Sequence, residues 1–124
     1  MKLVTLLFIL NATILLLHEI ESSYEREWEM LHLPGKIEGF LLLHIPIILL
    51  FFFGVLEINR LTYIGLLIGI ITGIGGVIPL LIHKIFFIRK DKFHSPISNA
   101  LIYMSTITGV VTIGLSVKYM ISGF

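Results

Sequence analysis

The chain has 124 residues, of which 56% are hydrophobic and only 14% are charged, and its mean hydropathy is +1.01. Because an average soluble domain carries about 25% charged residues, this chain lacks the polar surface of a soluble globule. Nine basic residues against eight acidic ones exclude a basic field for nucleic acid, and the absence of cysteine excludes disulfides and thiolate metal sites. The composition therefore predicts a small integral membrane protein.

Long apolar runs predict an all-α bundle of four transmembrane helices that forms a single domain over residues 1–124. A spanning helix needs about 20 mostly apolar residues. The first run, from Leu3 to Leu17, reaches that length only if the polar residues after it also lie at membrane depth. A cleaved signal peptide is the alternative for this run, but no small-residue cleavage pattern follows it. The predicted spans are about 3–22, 37–56, 61–82 and 97–117.

The third predicted helix carries a glycine at every fourth position: Gly65, Gly69 and Gly73. Small residues at this spacing allow two helix backbones to approach closely in a membrane. The face predicts a helix contact, and it is the candidate surface for a homo-oligomer. The other expected partners are the membrane lipids.

Lysine and arginine are unevenly distributed between the two sides of the predicted bundle. Four crossings place both termini and the second loop on one side, and the first and third loops on the other. Cytoplasmic loops are enriched in basic residues, so the side with six of them is predicted to be cytoplasmic. We therefore expect a multi-pass protein of the cell membrane whose termini are on the non-cytoplasmic side. The six are Arg26, Lys36, Lys84, Arg89, Lys90 and Lys92, against Lys2, Arg60 and Lys118.

All five histidines fall in the half of the bundle that contains the first and third loops. His44 is about 10 Å inside the second helix, at 1.5 Å per residue, where an ionisable side chain normally faces the bundle interior. Imidazoles and carboxylates without thiolate are typical of catalytic sites for zinc or another divalent transition metal. The predicted metal ligands are His18, Glu21, His44, His83 and His94.

The first helix has one polar face if it continues without interruption. At 100° per residue, His18, Glu21 and Glu25 share this face, whereas Glu19 and Glu27 point elsewhere and are expected to be solvated. Glu21 and Glu25 are therefore the candidate catalytic residues, as a ligand or as a general base. The alternative is that these polar groups only form hydrogen-bonded pairs that hold helix ends together.

The segment HEIESSYEREWEML, followed by LPG and FLLLHIPIILLFF, resembles an uncharacterised domain-of-unknown-function family of small four-helix membrane proteins. The resemblance also extends to the HXXEE-type membrane proteins, although Ser22 stands where their second glutamate would be. It implies membrane architecture and no particular reaction, and it gives weight to residues that the helical projection places in solvent. The matching positions are His18, Glu19, Glu21, Glu27, Trp28, Phe40, His44 and Pro46, with His83, Phe93, Pro96 and Ser98 matched more loosely.

Two functions from different classes fit these residues. The first is a metal-dependent, membrane-embedded hydrolase in which the metal activates water. The alternative is a non-catalytic metal-, proton- or ion-binding membrane protein, or a small transporter subunit. A haem held between His44 and His83 is a third hypothesis, which no specific pattern of axial ligands favours.

Overall fold

The computed structural model describes residues 2–86 and 95–122, and this part of the chain contains five α-helices and no strand. Four helices are long and apolar enough to cross a membrane, so the predicted all-α bundle of four transmembrane helices is confirmed. A short fifth helix, α2, follows the first crossing, and a π-helical turn continues α4. The elements are α1 (Leu3–Tyr24), α2 (Glu27–Met30), α3 (Lys36–Asn59), α4 (Tyr63–Leu81), the π-helical turn (Ile82–Phe86) and α5 (Pro96–Ser122).

The α4 and α5 helices form the most extensive contact in the described part of the bundle. A Cβ atom at Gly73 would lie 2.6 Å from the carbonyl oxygen of Gly109, and one at Gly76 would lie 2.5 Å from that of Ser105. No side chain fits at these distances, so the glycines are what allows the two backbones to pack together. The Ser105 hydroxyl then donates a hydrogen bond of 2.9 Å to the carbonyl of Gly76.

The three glycines predicted as a contact face pack within the chain. A Cβ atom at Gly65 would lie 2.3 Å from the carbonyl carbon of Glu57 at the end of α3. One at Gly69 would lie 2.5 Å from Ser116 Oγ, and Gly73 faces α5 as described. The face therefore serves contacts between helices of one chain, and a homo-oligomer formed through it stays a prediction.

Asn11 joins three helices in the middle of the bundle. Its side chain is fully buried, its Nδ2 donates to the carbonyl of Thr72 on α4 at 3.0 Å, and its Oδ1 accepts from Thr108 Oγ1 on α5 at 2.8 Å. Without competing water, such hydrogen bonds between helices fix how far one helix is shifted along its neighbours. His18 lies two turns further along α1, and the junction thus sets its height against the end of α4.

The α3 helix touches the rest of the bundle mainly near its two ends. Its buried residues are Phe40 and His44 in the first half, and Gly54 and Ile58 in the second. A Cβ atom at Gly54 would lie only 2.6 Å from the ring of Phe8, which marks the tight contact at the second end. Between these contacts α3 stands away from α1 and α4, and a cavity remains there.

Candidate metal centre

A left-handed turn at Arg26 brings Glu27 back towards α1. The α1 helix ends at Tyr24, and Arg26 adopts φ 54° and ψ 48°, a conformation that costs a non-glycine residue about 1 kcal/mol. The chain direction changes there, and α2 starts at Glu27. The Ser22 hydroxyl donates a hydrogen bond to Glu27 Oε2 across the turn. Glu27 is consequently only 8% exposed although it follows the end of a transmembrane helix.

Glu27 lies between two histidines from different crossings. His83 Nε2, in the π-helical turn, is 2.9 Å from Glu27 Oε1, and His18 Nε2, on α1, is 4.0 Å from Glu27 Oε2. The two imidazole rings have their centroids 5.2 Å apart and meet edge to face at 72°. All three side chains are buried, and one donor atom from each lies within 4.8 Å of the others. We call His18, Glu27 and His83 the triad.

The surroundings of Glu27 favour its ionised form. Burial acts to raise its pKa, but hydrogen bonds from His83 and Ser22, together with the charges of His83 and His18, outweigh burial and hold the pKa of Glu27 below its ordinary value. Glu27 is therefore a carboxylate at neutral pH. The triad offers one anionic oxygen ligand and two imidazole nitrogens.

This donor set fits a divalent transition metal. Zinc lies at about 2.0–2.2 Å from nitrogen and oxygen ligands, so two donors on one tetrahedral ion are about 3.4 Å apart. The donors of the triad lie within 4.8 Å of one another, so the side chains would have to move closer together by up to about 1.4 Å to bind one ion. Two histidines and one carboxylate are the ligands of several catalytic zinc sites and of non-haem iron sites, and three protein ligands leave coordination positions open.

A second polar pair joins α1 to α3. His44 Nδ1 is 2.7 Å from the carbonyl oxygen of Phe40, and His44 Nε2 is 2.7 Å from Glu19 Oε2. A carbonyl can only accept, so the Nδ1 atom carries a proton and donates it to Phe40. The contact between Glu19 and His44 then requires one further proton, held either by the imidazole or by the carboxyl group. This pair can therefore give or take a proton with little movement.

The triad and the pair of Glu19 with His44 meet at one cavity of about 520 Å³ between α1, α2, α3 and α4. His18, Glu27, Glu19 and His44 all contribute to its wall, and nearly all of the remaining wall is aliphatic or aromatic. Ligand sites are commonly of this volume and have this character, mostly apolar with a few polar groups that converge. The arrangement places a metal-binding set and a proton-carrying pair beside the same apolar space.

The residues predicted as metal ligands are divided among different sites. His18 and His83 lie together in the triad. His44 is bonded to Glu19 instead, and Glu21 accepts a hydrogen bond from Ser98 Oγ on α5. His94 is outside the described residues. The roles assigned from the sequence to these side chains stay predictions.

The two predicted catalytic carboxylates lie away from the cavity wall. Glu21 faces α5 through Ser98, and Glu25 follows the last residue of α1, where its amide bonds to the carbonyl of Glu21 at 2.9 Å. Neither residue is part of the wall that the triad shares with Glu19 and His44.

The helical projection missed Glu27 because it continued α1 through Arg26. The expected solvation of Glu27 is wrong, since the turn reverses the chain and buries this carboxylate. Glu19, also expected in solvent, is hydrogen-bonded to His44. The signal that could have found both was the resemblance, which gave weight to Glu19, Glu27 and Trp28, and all three line the cavity.

Comparison with known proteins places the chain in a group without an assigned activity. Residues 4–119 match the sequence profile of a family of unknown function, DUF6713. No curated protein and no solved structure matches the chain. The predicted resemblance to an uncharacterised family is confirmed, whereas the match at individual positions and the relation to HXXEE-type proteins stay predictions.

Proposed function

The chain belongs to the DUF6713 family, and we propose that it is a metal-dependent hydrolase embedded in the membrane. The observation that carries this proposal is the triad, in which two imidazoles and one carboxylate from three segments of the chain converge beside an apolar cavity. Groups of this polarity are costly at membrane depth and are normally functional there. Zinc or another divalent transition metal is the expected cofactor.

Each residue of the triad has a defined task in this proposal. His18 and His83 would bind the metal through Nε2, and Glu27 would bind it as a carboxylate that Ser22 holds in place. A bound divalent metal supplies Lewis acidity and lowers the pKa of bound water towards 7. Metal binding would displace to solvent the proton that lies between His83 Nε2 and Glu27 Oε1, because an imidazole binds a metal through an unprotonated nitrogen.

Glu19 and His44 would carry protons during the reaction. Their shared proton lies on the cavity wall, and the carbonyl of Phe40 fixes the orientation of the imidazole. A positioned acid or base of this kind contributes about 10²–10⁴ to a hydrolytic rate. The geometry favours this pair for that role over Glu21 and Glu25.

A non-catalytic metal- or proton-binding membrane protein is the second candidate. The contacts of Glu19 with His44 and of Glu21 with Ser98 favour it, because chains of such groups at membrane depth also form proton relays. The two candidates differ in one measurable property. The hydrolase cleaves an acyl bond only when its metal is present, and the binding protein does not cleave it at all.

The proposal extends to location and orientation in the cell membrane. The distribution of lysine and arginine supports termini on the non-cytoplasmic side, which places the triad near the cytoplasmic face. Because the chain has no cysteine, Ser23→Cys and Ser122→Cys can be labelled singly in intact cells. An impermeant maleimide should label Ser122→Cys and leave Ser23→Cys unlabelled, and the reverse pattern would invert the orientation.

Metal analysis of the purified protein tests the site directly. We expect about one equivalent of zinc or a similar metal in the wild type, and loss of metal in His18→Ala, Glu27→Gln and His83→Ala. His32→Asn is the matched control, because His32 is exposed and asparagine tolerates its positive φ of 55°. Folded triad variants that bind metal as well as His32→Asn would refute the metal centre.

A chelation experiment then separates the two candidate functions. Protein stripped with a chelator and protein reloaded with zinc are incubated with a fluorogenic acyl ester in detergent. The hydrolase predicts release of the fluorophore only after reloading, and none from Glu27→Gln. Stoichiometric metal binding without release from any acyl probe would favour the non-catalytic candidate.

A further inference from the structure

The cavity beside the triad has the length and the lining of a site for a hydrocarbon chain. Its wall on α3 extends from Phe40 to Phe51, and its wall on α4 and the first residue of the π-helical turn extends from Ile71 to Ile82. At 1.5 Å per residue, each wall follows its helix for about 16 Å. Both stretches belong to helices that are long and apolar enough to span a membrane, so the cavity lies at the depth of the lipid chains.

The ionisable groups of the wall are confined to one end of this cavity, and the Thr72 hydroxyl lies nearer the other end. Glu19, Glu27, His18 and His44 lie together at the polar end, whereas Phe51 and Leu50 on α3 lie towards the other end. An occupant that matches this distribution has one polar group and one long apolar chain. The 520 Å³ volume suits a single chain better than a two-chain lipid.

The charges at the polar end select against anionic head groups. Two glutamates and two histidines contribute to this wall, and no lysine or arginine does so among the residues that the structure describes. Without a bound metal, a phosphate or a free carboxylate would meet these carboxylates with no lysine or arginine of the described wall to bind it. A neutral carbonyl or hydroxyl group avoids this repulsion.

Trp28 offers a donor that a neutral carbonyl group would satisfy. Its side chain lines the cavity, packs against the ring of Phe40 with centroids 5.6 Å apart, and is only 7% exposed. Its indole Nε1 is buried and has no hydrogen-bond partner within residues 2–86 and 95–122. A buried N–H group normally donates to a partner, so this one points to an acceptor on the occupant.

We propose that the cavity binds one long acyl chain that ends in an uncharged ester or amide, with the carbonyl group beside the triad. The assignment of this occupant as the substrate rests on the proposed hydrolase function. Binding of the acyl chain itself depends only on the cavity and on its polar end, so the two can fail separately.

Trp28 is also the only tryptophan of the chain, and it reports occupancy of the cavity. Metal-free protein in a short-chain detergent is titrated with a long-chain N-acyl amide that carries bromine atoms on the chain, since bromine quenches indole fluorescence on contact. Saturable quenching, reversed by the unbrominated amide, is expected. A brominated fatty acid and a brominated single-chain phosphate lipid form the anionic arms, and both should bind at least about tenfold more weakly.

Gly75→Leu fills the cavity from α4. A Cβ atom at Gly75 would meet only Leu15 Cδ1 at an ordinary 3.6 Å, so the helix accepts the substitution while the larger side chain occupies the cavity that Gly75 lines. Gly114→Leu is the matched control, because a Cβ atom there has no described atom within 4 Å. We expect Gly75→Leu to weaken binding of the brominated amide at least about tenfold, and Gly114→Leu to bind like the wild type.

The metal content of the same variants after zinc loading separates this inference from the proposed function. Full metal content in Gly75→Leu together with lost quenching supports the acyl-chain site. Three results would overturn the inference, even when the triad binds metal normally. They are no quenching in the wild type, equal quenching in Gly75→Leu, and stronger quenching by either anionic lipid. Loss of metal from the triad variants with intact, saturable quenching would instead leave the acyl-chain site and overturn the hydrolase.

Discussion

Ser22 on α1 donates a hydrogen bond to Glu27 on α2, and this contact bridges the left-handed turn that separates the two helices. Ser22 is fully buried, so no water can replace its hydroxyl group easily. We expect Ser22→Ala to leave the triad in place but to weaken zinc binding about 10–100-fold, as does the loss of other groups that orient a metal ligand. Competition with a chromophoric chelator measures the affinity.

Ser23→Ala is the control for this prediction. It removes the same atoms one position further along α1, from a side chain that is only partly buried and that forms none of the hydrogen bonds described at the triad. Zinc affinity in Ser23→Ala should equal that of the wild type. If Ser22→Ala also binds zinc like the wild type, then Ser22 does not position Glu27 for the metal.

The pair of Glu19 with His44 gives a prediction that separates catalysis from metal binding. Glu19→Gln keeps the size of the side chain but cannot release or accept the proton that the pair shares. We expect its metal content to be unchanged and its rate of acyl-ester hydrolysis to fall about 10²–10⁴-fold. Metal analysis and turnover of the fluorogenic ester are measured on the same preparation.

Glu21→Gln and Glu25→Gln provide the comparison, because the sequence alone assigns catalysis to these two residues. Neither lines the cavity, so both variants should retain most of the turnover. If Glu21→Gln or Glu25→Gln abolishes turnover while Glu19→Gln does not, the assignment made from the sequence is the better one. Circular dichroism of each variant shows whether the helices are retained.

The four crossings could be predicted from the sequence because the mean hydropathy of each apolar run depends only on its own residues and not on how the helices pack. The first helix shows why this works even for a short run. Its apolar part ends at Leu17, and the residues from His18 to Tyr24 continue the same helix. Asn11 and His18 face other helices and are fully or almost fully buried, so these polar side chains do not contact the lipid. A helix can therefore span the membrane although it contains polar residues, because these residues face the interior of the bundle.

The composition of the metal centre could not be predicted from a helical projection. The projection assumes one straight helix, whereas Arg26 takes a left-handed conformation with no glycine, asparagine or proline to signal it. Everything after this turn is rotated relative to α1, and Glu27 moves from the predicted outer face to the interior. His83 could be named as a candidate, but its partner could not, because that partner depends on the turn.

The sequence also could not predict which helix packs against which. The glycine spacing predicts that the helix from Tyr63 packs closely on a neighbour, but it does not say which one. The structure pairs Gly73 and Gly76 with α5 and Gly65 with the end of α3. A single small-residue face thus serves two partners within the chain.

The contact between Gly73 and Gly109 predicts a strong effect of one added methyl group. A Cβ atom at Gly109 would lie 2.5 Å from the carbonyl oxygen of Gly73, so Gly109→Ala must force α4 and α5 apart. We expect a loss of about 1–3 kcal/mol in the free energy of unfolding, measured by thermal melting in detergent. Gly114→Ala on the same helix has open space among the described atoms, and it should melt at or slightly above the wild-type temperature.

The junction at Asn11 predicts a smaller and selective loss. Thr108→Val keeps the shape of the side chain but removes the hydroxyl that donates to Asn11 Oδ1 at 2.8 Å. Hydrogen bonds between membrane helices contribute about 0.6 kcal/mol on average and up to about 1.7 kcal/mol, and a fully buried acceptor should fall in the upper part of this range.

Thr106→Val tests whether that loss comes from the contact between helices. The Thr106 hydroxyl donates only to Ile102, four residues earlier on its own helix, so its removal should change the unfolding free energy by less than about 0.5 kcal/mol. When Asn11 is also replaced by leucine, Thr108→Val and Thr106→Val should change the unfolding free energy equally, because Thr108 then has no side-chain acceptor on α1. Equal destabilisation by Thr108→Val and Thr106→Val in the wild-type background would mean that the junction does not hold α1 against α5.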